Sequence, residues 1–312
     1  MILIIDGNNL AYRAFHTPQG DLTTKQGEPT GVILGFINSL KGLLEKFPNT
    51  TRIINIFDGG KAKWRKELYP EYKANRSYGK DPEEKAKFDG LFKQIDVLND
   101  NLHLIGVHSI KVSGWEADDI ISRVCKLLDE ESKPGIVVTS DKDMLQLISD
   151  NITVYSPYRD RLIGNSNFLE ETGVSKEAYI GYRSLVGDTS DNIIGVQGIG
   201  EKTAKNLMNQ YGHIDNILSA TGDTKKKLLK SKRTARIFEP DSLRRLAINN
   251  KIMNFNYVPD DDEVNKAIGQ SFTELPPIDT KKVKEFLIRW QFVSILTNFM
   301  PWIMNFQLLG ED

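Results

Sequence analysis

Cysteine is almost missing from these 312 residues, Cys125 being the only one. That excludes an intramolecular disulfide and zinc held through sulfur, and it fits a reducing compartment. Histidine is scarce as well. His16, His103, His108 and His213 sit in unrelated contexts, with no motif pairing any of them with a Ser or Cys nucleophile. Uninterrupted apolar runs of membrane length are also lacking. The most apolar stretch, Val283 to Leu309, is broken by Lys284, Glu285, Arg289, Gln291, Asn298, Pro301, Asn305 and Gln307. We expect a helix packed on the body there, with Trp290 or Trp302 exposed to a partner. The run Ile2 to Ile5 meets Asp6 at once and lacks the basic flank of a signal peptide, so a cytoplasmic protein is expected.

A dominant charge is lacking too: 41 basic and 42 acidic residues leave a net charge of −1. Nucleic-acid-binding proteins are usually basic, so the balance by itself argues against that partner. The average hides segregation. Residues 61–76, KAKWRKELYPEYKANR, carry six basic side chains against two acidic, and 225–236, KKKLLKSKRTAR, carry seven against none. The second run reads equally as a solvated helix face.

What is present is an alternation of short β-branched runs and amphipathic stretches. Ile2–Ile5, Ile53–Phe57, Ser109–Val112, Ile136–Thr139 and Ile152–Tyr155 read as buried strands, and Gly31–Lys46 and Asp118–Leu128 as helices. The fold class is therefore α/β with a mainly parallel central sheet flanked by helices. Past Val174 the pattern turns helical, with Pro259–Glu263 and Pro276–Pro277 as loops. We expect a core over residues 1–178 and a helical region over 179–312.

In an open α/β sheet the ligand crevice lies beyond the carboxyl ends of the strands. Here those ends run into acid: Asp6, then Asp58, then Glu116, Asp118 and Asp119, then Asp141 and Asp143. A further segment read as helical adds Asp188 and Asp191 at i, i+3, on one face. A single acid after a strand is commonly a helix N-cap. Seven that converge repel each other and imply bound cations. All-oxygen ligands favour Mg²⁺ or Mn²⁺, and so many carboxylates suit two ions about 4 Å apart, as in phosphoryl transfer.

The string IIGVQGIGEKTA, residues 193–204, reads as a helix-hairpin-helix spanning about 184–213 that grips duplex DNA through its backbone. Gly198 and Gly200 allow the close turn, and Lys202 and Thr203 open the following helix. Tyr72, Lys73 and Arg76 in PEYKANR place an aromatic beside cations, a combination suited to a single strand. The long, charge-rich stretch between Arg76 and Glu116 leaves room for an arch at about 73–108.

The strings LIIDGNNLAYRAF, FDGGKAKWRKELYPEYKANR, GWEADDII, VTSDKDMLQLI and YRSLVGDTSDNIIGVQGIGEKTAKNL, in that order, resemble the 5′-nuclease family. It comprises flap endonucleases, phage 5′-to-3′ exonucleases and the nuclease part of bacterial DNA polymerase I. The resemblance implies a PIN-like core with a helical arch and a C-terminal helix-hairpin-helix. It makes Asp6, Asp58, Glu116, Asp118, Asp119, Asp141, Asp143, Asp188 and Asp191 ligands of two Mg²⁺, for which Mn²⁺ substitutes, and implies K⁺ at the hairpin. Lys73 and Arg76 would contact the scissile phosphate with Tyr72 beside them, Asp141 would be catalytic, and Arg183 would join Gly198, Gly200, Lys202 and Thr203 on DNA.

The implied substrate is DNA with 5′ flaps, nicks or free 5′ ends, including RNA-primed ends met in replication. The implied setting is a monomer in a bacterial or phage-infected cell, free-standing rather than fused to a polymerase. Residues 301–312 are the expected contact for a replication protein. Two other classes fit parts of the sequence: a DNA-binding scaffold without cleavage, and a single-metal Asp-rich phosphatase or receiver-like domain. The first would expect Asn or Ala among the acids, and the second leaves the hairpin unexplained.

Overall fold

The computed structural model describes residues 1–310. The chain divides into two units that interleave along the sequence: Met1–Lys61, Tyr78–Leu162 and Asp260–Asp312 form the first, Ala62–Ser77 and Ile163–Pro259 the second.

The first unit is built on a sheet of β1 (Ile2–Asp6), β2 (Arg52–Ile56), β3 (His108–Ile110), β4 (Gly135–Val138), β5 (Ile152–Ser156) and β6 (Arg161–Ile163). Their order is β3-β2-β1-β4-β5-β6, and the four pairings from β3 to β5 are parallel. The expected strands are all present, shifted by a residue or two at their ends. β1, β2 and β4 are buried along nearly their whole length, which is why they read as continuous Ile/Val runs rather than alternating ones. The order reverses at β1, between β2 and β4, and that switch point fixes where a crevice opens beyond the strand ends.

Helix Gly31–Lys46 covers the sheet with a stripe of Val32, Ile33, Phe36, Ile37, Leu40, Leu43 and Leu44, all buried at the i, i+3, i+4 spacing of an amphipathic helix. Phe36 is fully buried and its ring centroid lies 5.8 Å from that of Phe57. Truncating Phe36 to Ala should cost about 3–5 kcal/mol, the usual range for emptying such a site, read as a lower midpoint in urea unfolding with unchanged slope.

Residues 82–101, within the expected arch, form a single 20-residue helix started by Pro82 and N-capped by the Asp81 carboxylate, which accepts from Glu84 N–H. Its C-terminal half buries Leu91, Gln94, Ile95 and Leu98. The Gln94 side-chain oxygen accepts from the N–H groups of Val32 and Ile33, satisfying two of the amide donors that open helix Gly31–Lys46. Ahead of it, residues 81–87 are largely exposed.

The C-terminal stretch is three helices rather than one: Thr280–Arg289, Val293–Thr297 and Phe299–Gln307. Val283, Leu287, Ile295, Phe299, Trp302, Ile303 and Phe306 all join the first unit's core. Trp302 is therefore buried and not the exposed contact residue expected; the run breaks after Arg289, where Gln291 adopts φ +58°, and again at Asn298. Trp290 is half-buried. The expected partner contact over 301–312 lies partly outside the described residues. Among the described residues no helix is long and apolar enough to cross a membrane.

The second unit is mainly helical. Helices Lys176–Val186 and Glu201–Tyr211 pack against each other. They are joined by a short antiparallel ribbon, β7 (Gly187–Asp188) with β8 (Ile193–Ile194), and a glycine-rich loop. Helix Pro240–Met253 braces this pair: the buried Asn249 amide donates to the carbonyls of Ser184 and Ile194.

Candidate metal centre and nucleic-acid interface

The strand ends of the first unit hold seven of the nine predicted acids. Asp6 closes β1, and its carboxylate caps helix Gly7–Phe15 by accepting from Asn9 N–H at 3.0 Å. Asp58 follows β2 and accepts from the N–H of Ala117, the first residue of helix Ala117–Glu130, at 2.8 Å. Glu116 stands at that helix's N-cap, with Asp118 and Asp119 in its first turn. Asp141 caps the 3-10 turn Lys142–Leu147 by accepting from Asp143 N–H at 2.8 Å. The N-cap role that any one of these acids could play is thus real for Asp6 and Asp141, and it places them at the edge rather than removing them from it.

Three features draw the acids together. Gly59 lets the chain after β2 touch the chain after β3: a Cβ there would lie 1.7 Å from the Val112 carbonyl. Gly59 donates to the carbonyl of Trp115 and accepts from Gly114 N–H, which brings the Glu116 helix start beside Asp58. Thr139, one residue past β4 and fully buried, donates through Oγ1 to Asp6 Oδ2 at 2.8 Å and accepts from Asp141 N–H at 3.0 Å. Asn8 and Asn9 complete the framework, their side-chain oxygens accepting from Asp58 N–H and Ser140 N–H. These four polar groups, Asn8, Asn9, Thr139 and Ser140, were missed as site residues although they flank the acids directly in DGNN and TSD.

The electrostatics follow from this placement. Asp6, Glu116 and Asp119 are buried. Burial first, and then the charges of Asp58 and Asp141, push the Asp6 carboxyl up to about 7, against the pull of its bonds to Asn9 and Thr139. Among the described residues no three His, Cys, Asp or Glu side chains converge as a ready-made cage. Several of the acids are instead turned onto protein donors, as just described. The donor set is nevertheless one that suits a hard divalent ion: carboxylates only, partly desolvated, with Asp6 already disfavoured as an anion by its burial.

Asp188 and Asp191 lie in the second unit and not on a helix. Gly187, at φ 75° and ψ −172°, ends helix Lys176–Val186. Asp188 Oδ1 then accepts from Ser190 N–H, Ser190 Oγ and, at 3.3 Å, Asp191 N–H, so the side chain takes the amides that a helix would use. Asp188 Oδ2 pairs with Arg183 at 2.8 Å. Burial pushes the Asp188 carboxyl up, but the Ser190 hydrogen bonds and the Arg183 charge outweigh it and hold the group below the ordinary range.

Asp191 is the anion of a basic cluster. It meets Arg76 at 2.6 Å, Lys73 at 3.6 Å and the Tyr72 hydroxyl at 3.2 Å. Segment 62–77 is sewn to this turn by backbone as well: Lys73 N–H donates to the Asp191 carbonyl, Asn75 Nδ2 to that of Thr189, and Asn192 Nδ2 to that of Glu71. Lys73 is buried and adopts φ +52°, strain of the kind that local structure must hold in place. Tyr72 is 3% exposed and packs with Ile193, Ile252 and Met253. Its ring faces protein, so the base-stacking role expected for it is corrected to one of supporting Lys73, whose ammonium lies 4.9 Å from the ring centroid.

At the hairpin, Gly198 has φ +83°, and a Cβ on it would press to 3.2 Å on the Arg236 guanidinium. Gly200 is the N-cap of helix Glu201–Tyr211 and provides no side-chain cap. The first amides of that helix therefore face outward beside exposed Lys202 and half-exposed Thr203. Arg236 donates to the Gln197 carbonyl at 3.4 Å. This ties the basic run 225–236 to the hairpin loop, and Lys226, Lys227, Lys230, Lys232 and Arg233 are all exposed along it.

The fold and the acidic edge define an α/β protein of nuclease type with a helix-hairpin-helix. The sequence profile of the 5′-3′ exonuclease N-terminal resolvase-like domain matches residues 1–176, and that of the 5′-3′ exonuclease C-terminal SAM fold matches residues 174–258. The chain belongs to the 5′-3′ exonuclease family. It is 36% identical over 216 residues to a 5′-3′ exonuclease of Buchnera aphidicola, covering 69% of this chain and 72% of that one. It is 32% identical over 309 residues to the thermostable DNA polymerase I of Thermus aquaticus, covering 96% of this chain and 33% of that one. It thus spans about a third of the length of that polymerase. Its fold is shared with the T5 D15 protein co-crystallised with metal ions, at 23% identity and TM-score 0.73, over 87% of this chain and 98% of that one.

Proposed function

We propose that this chain is a metal-dependent 5′ nuclease, acting both as a 5′-to-3′ exonuclease and as a flap endonuclease on DNA near single-strand/duplex junctions. The observation that carries this reading is the acidic edge at β1, β2 and β4, where burial and the charges of Asp58 and Asp141 push the Asp6 carboxyl up to about 7. Asp6, Asp58, Glu116, Asp118, Asp119, Asp141 and Asp143 would hold Mg²⁺, or Mn²⁺ in its place. The assignment of Asp188 and Asp191 to a second ion rests on the sequence motif. Two such ions, when bound, supply a water of lowered pKa and offset charge on the phosphate in the transition state.

The chain's own residues do the rest. Thr139 fixes Asp6 against Asp141, and Asn8 and Asn9 hold the loops after β2 and β4. Lys73 and Arg76 already share one anion, the Asp191 carboxylate, and a scissile phosphate offers them the same chemistry. The hairpin, with Gly198, Gly200, Lys202 and Thr203 and the adjoining run 225–236, would take the duplex by its backbone without reading bases. A K⁺ ion on the hairpin carbonyls fits that role. Arg183, expected on DNA, is buried and held by Asp188, so it would act on the turn and not as a direct DNA contact. Removal of primers and flaps in replication is the setting that the polymerase I likeness favours.

Backbone binding makes counterion release the main term in affinity. Replacing Lys227, Lys230 and Lys232 together with Gln should weaken duplex binding and lower the slope of log K against log salt by about 0.9 for each phosphate that is no longer neutralised. An unchanged slope would return 225–236 to a solvated face. The reading as a whole is tested by a 5′-flap duplex labelled on the flap strand, incubated with Mg²⁺ or with EDTA. Cutting near the junction that needs the metal supports it, with 5′-phosphate and 3′-hydroxyl products. Tight binding with no cutting under any divalent metal would make the protein a scaffold.

A further inference from the structure

Beyond β5 the chain makes a turn over residues 157–160 before β6. β5 runs parallel beside β4, so this turn leaves the same edge of the sheet as Asp141, and Ser156 Oγ lies 3.3 Å from Ser140 Oγ. At its tip Tyr158 is 82% exposed, the most exposed large apolar or aromatic side chain among the described residues, with exposed Arg159 next to it. The turn is held from below. Asp160, at φ +49°, accepts from the Tyr155 hydroxyl at 2.7 Å and from Lys46 at 2.5 Å. Pro157, the residue before Tyr158, lines a surface groove shared with Leu10, Arg13, Lys46 and Tyr155. Arg13 comes from the helix that Asp6 caps.

We propose that Tyr158 is a stacking platform for an unpaired nucleobase of the 5′ arm, with Arg159 and Arg13 holding the adjoining phosphates. An aromatic ring turned to solvent gains by covering a flat, apolar face, and a base offers one only where it is unpaired, since duplex bases cover each other. The flanking arginines supply the cationic side of a sequence-tolerant single-strand site. This placement gives the first unit its own grip on the single-stranded arm, next to the acidic edge. Tyr72 cannot fill that role, because its ring is buried. The inference rests on the nuclease reading above and identifies the arm that the site would handle.

The test is equilibrium binding in EDTA, by fluorescence anisotropy, of a 5′-flap duplex and of a nicked duplex with no arm. 2-Aminopurine placed in turn at the first unpaired positions of the flap reports stacking. Tyr158→Ala should weaken flap binding at least about fivefold, the low end of what stacking one base contributes, and abolish quenching at one position. It should leave the nicked duplex and the melting temperature unchanged. Tyr158→Phe should behave as wild type, since the ring and not the hydroxyl is needed. Equal effects of Tyr158→Ala on both DNAs, or no effect on the flap, would overturn the platform while leaving the nuclease reading intact. Wild-type protein that bound neither DNA would overturn both.

Discussion

Asp141→Asn is expected to lower the single-turnover rate of flap cleavage by at least about 100-fold, the upper range for losing even a supporting group around a metal, while leaving flap-DNA affinity within about twofold. Asn keeps the side-chain oxygen that caps Lys142–Leu147 and accepts from Asp143 N–H, so local structure is retained. The charge is what disappears. That charge acts at the edge where Asp6 and Asp58 also sit, as its influence on Asp6 shows. The groups proposed to grip DNA, Lys202 and the run 225–236, belong to another unit and should be untouched. Rate and affinity are therefore separable by one substitution. A variant that cuts at near wild-type rate would remove Asp141 from the catalytic set.

The second large effect concerns pH. The Asp6 carboxyl is pushed from the ordinary 3.8 up to about 7. Across that window the folded, metal-free protein keeps a proton that the unfolded chain has released, so its stability falls as pH rises from about 4 to 7 and stays reduced above. Over such a shift the loss amounts to a few kcal/mol. Asp6→Asn removes the charge, and metal-free variant at pH 8 should melt higher than wild type by on the order of 5 °C. Mg²⁺ should raise the melting temperature of wild type and have little effect on the variant. In cleavage assays at limiting Mg²⁺, wild-type rate should climb through pH 7 and the midpoint should move down as Mg²⁺ is raised, because metal and proton compete for the same carboxylate. A metal-free variant melting below wild type at pH 8 would show that Asp6 is held ionised by its hydrogen bonds instead.

Much of the site was legible because it is local to strand ends. An apolar β-branched run that stops at an acid tells both where a strand ends and which side chain stands at the crevice; Ile2–Ile5 before Asp6 and the run before Asp58 are of this kind. The supporting polar residues were written in the same strings, but Asn9 or Thr139 read alone is an ordinary cap or surface residue. Only the cross-strand register that sets Ile5 beside Val138 turns Thr139 toward Asp6. Helical spacing misled at Asp188 and Asp191, where a glycine of positive φ and an Asp side chain compete successfully with the helix. Tyr72 misled because adjacency to cations is visible in sequence and burial is not. The return of residues 260–310 to the first unit depends on long-range packing of Leu287, Phe299 and Trp302, which no local pattern specifies.

The most direct measurement is Mn²⁺ binding to the DNA-free protein, followed by electron paramagnetic resonance, in wild type and in the Asp6→Asn, Asp141→Asn double variant. Saturable binding that the double variant loses, with its fold retained by circular dichroism, is the result expected if the acidic edge is a metal centre. Mn²⁺ bound equally by both proteins, or by neither, would contradict it.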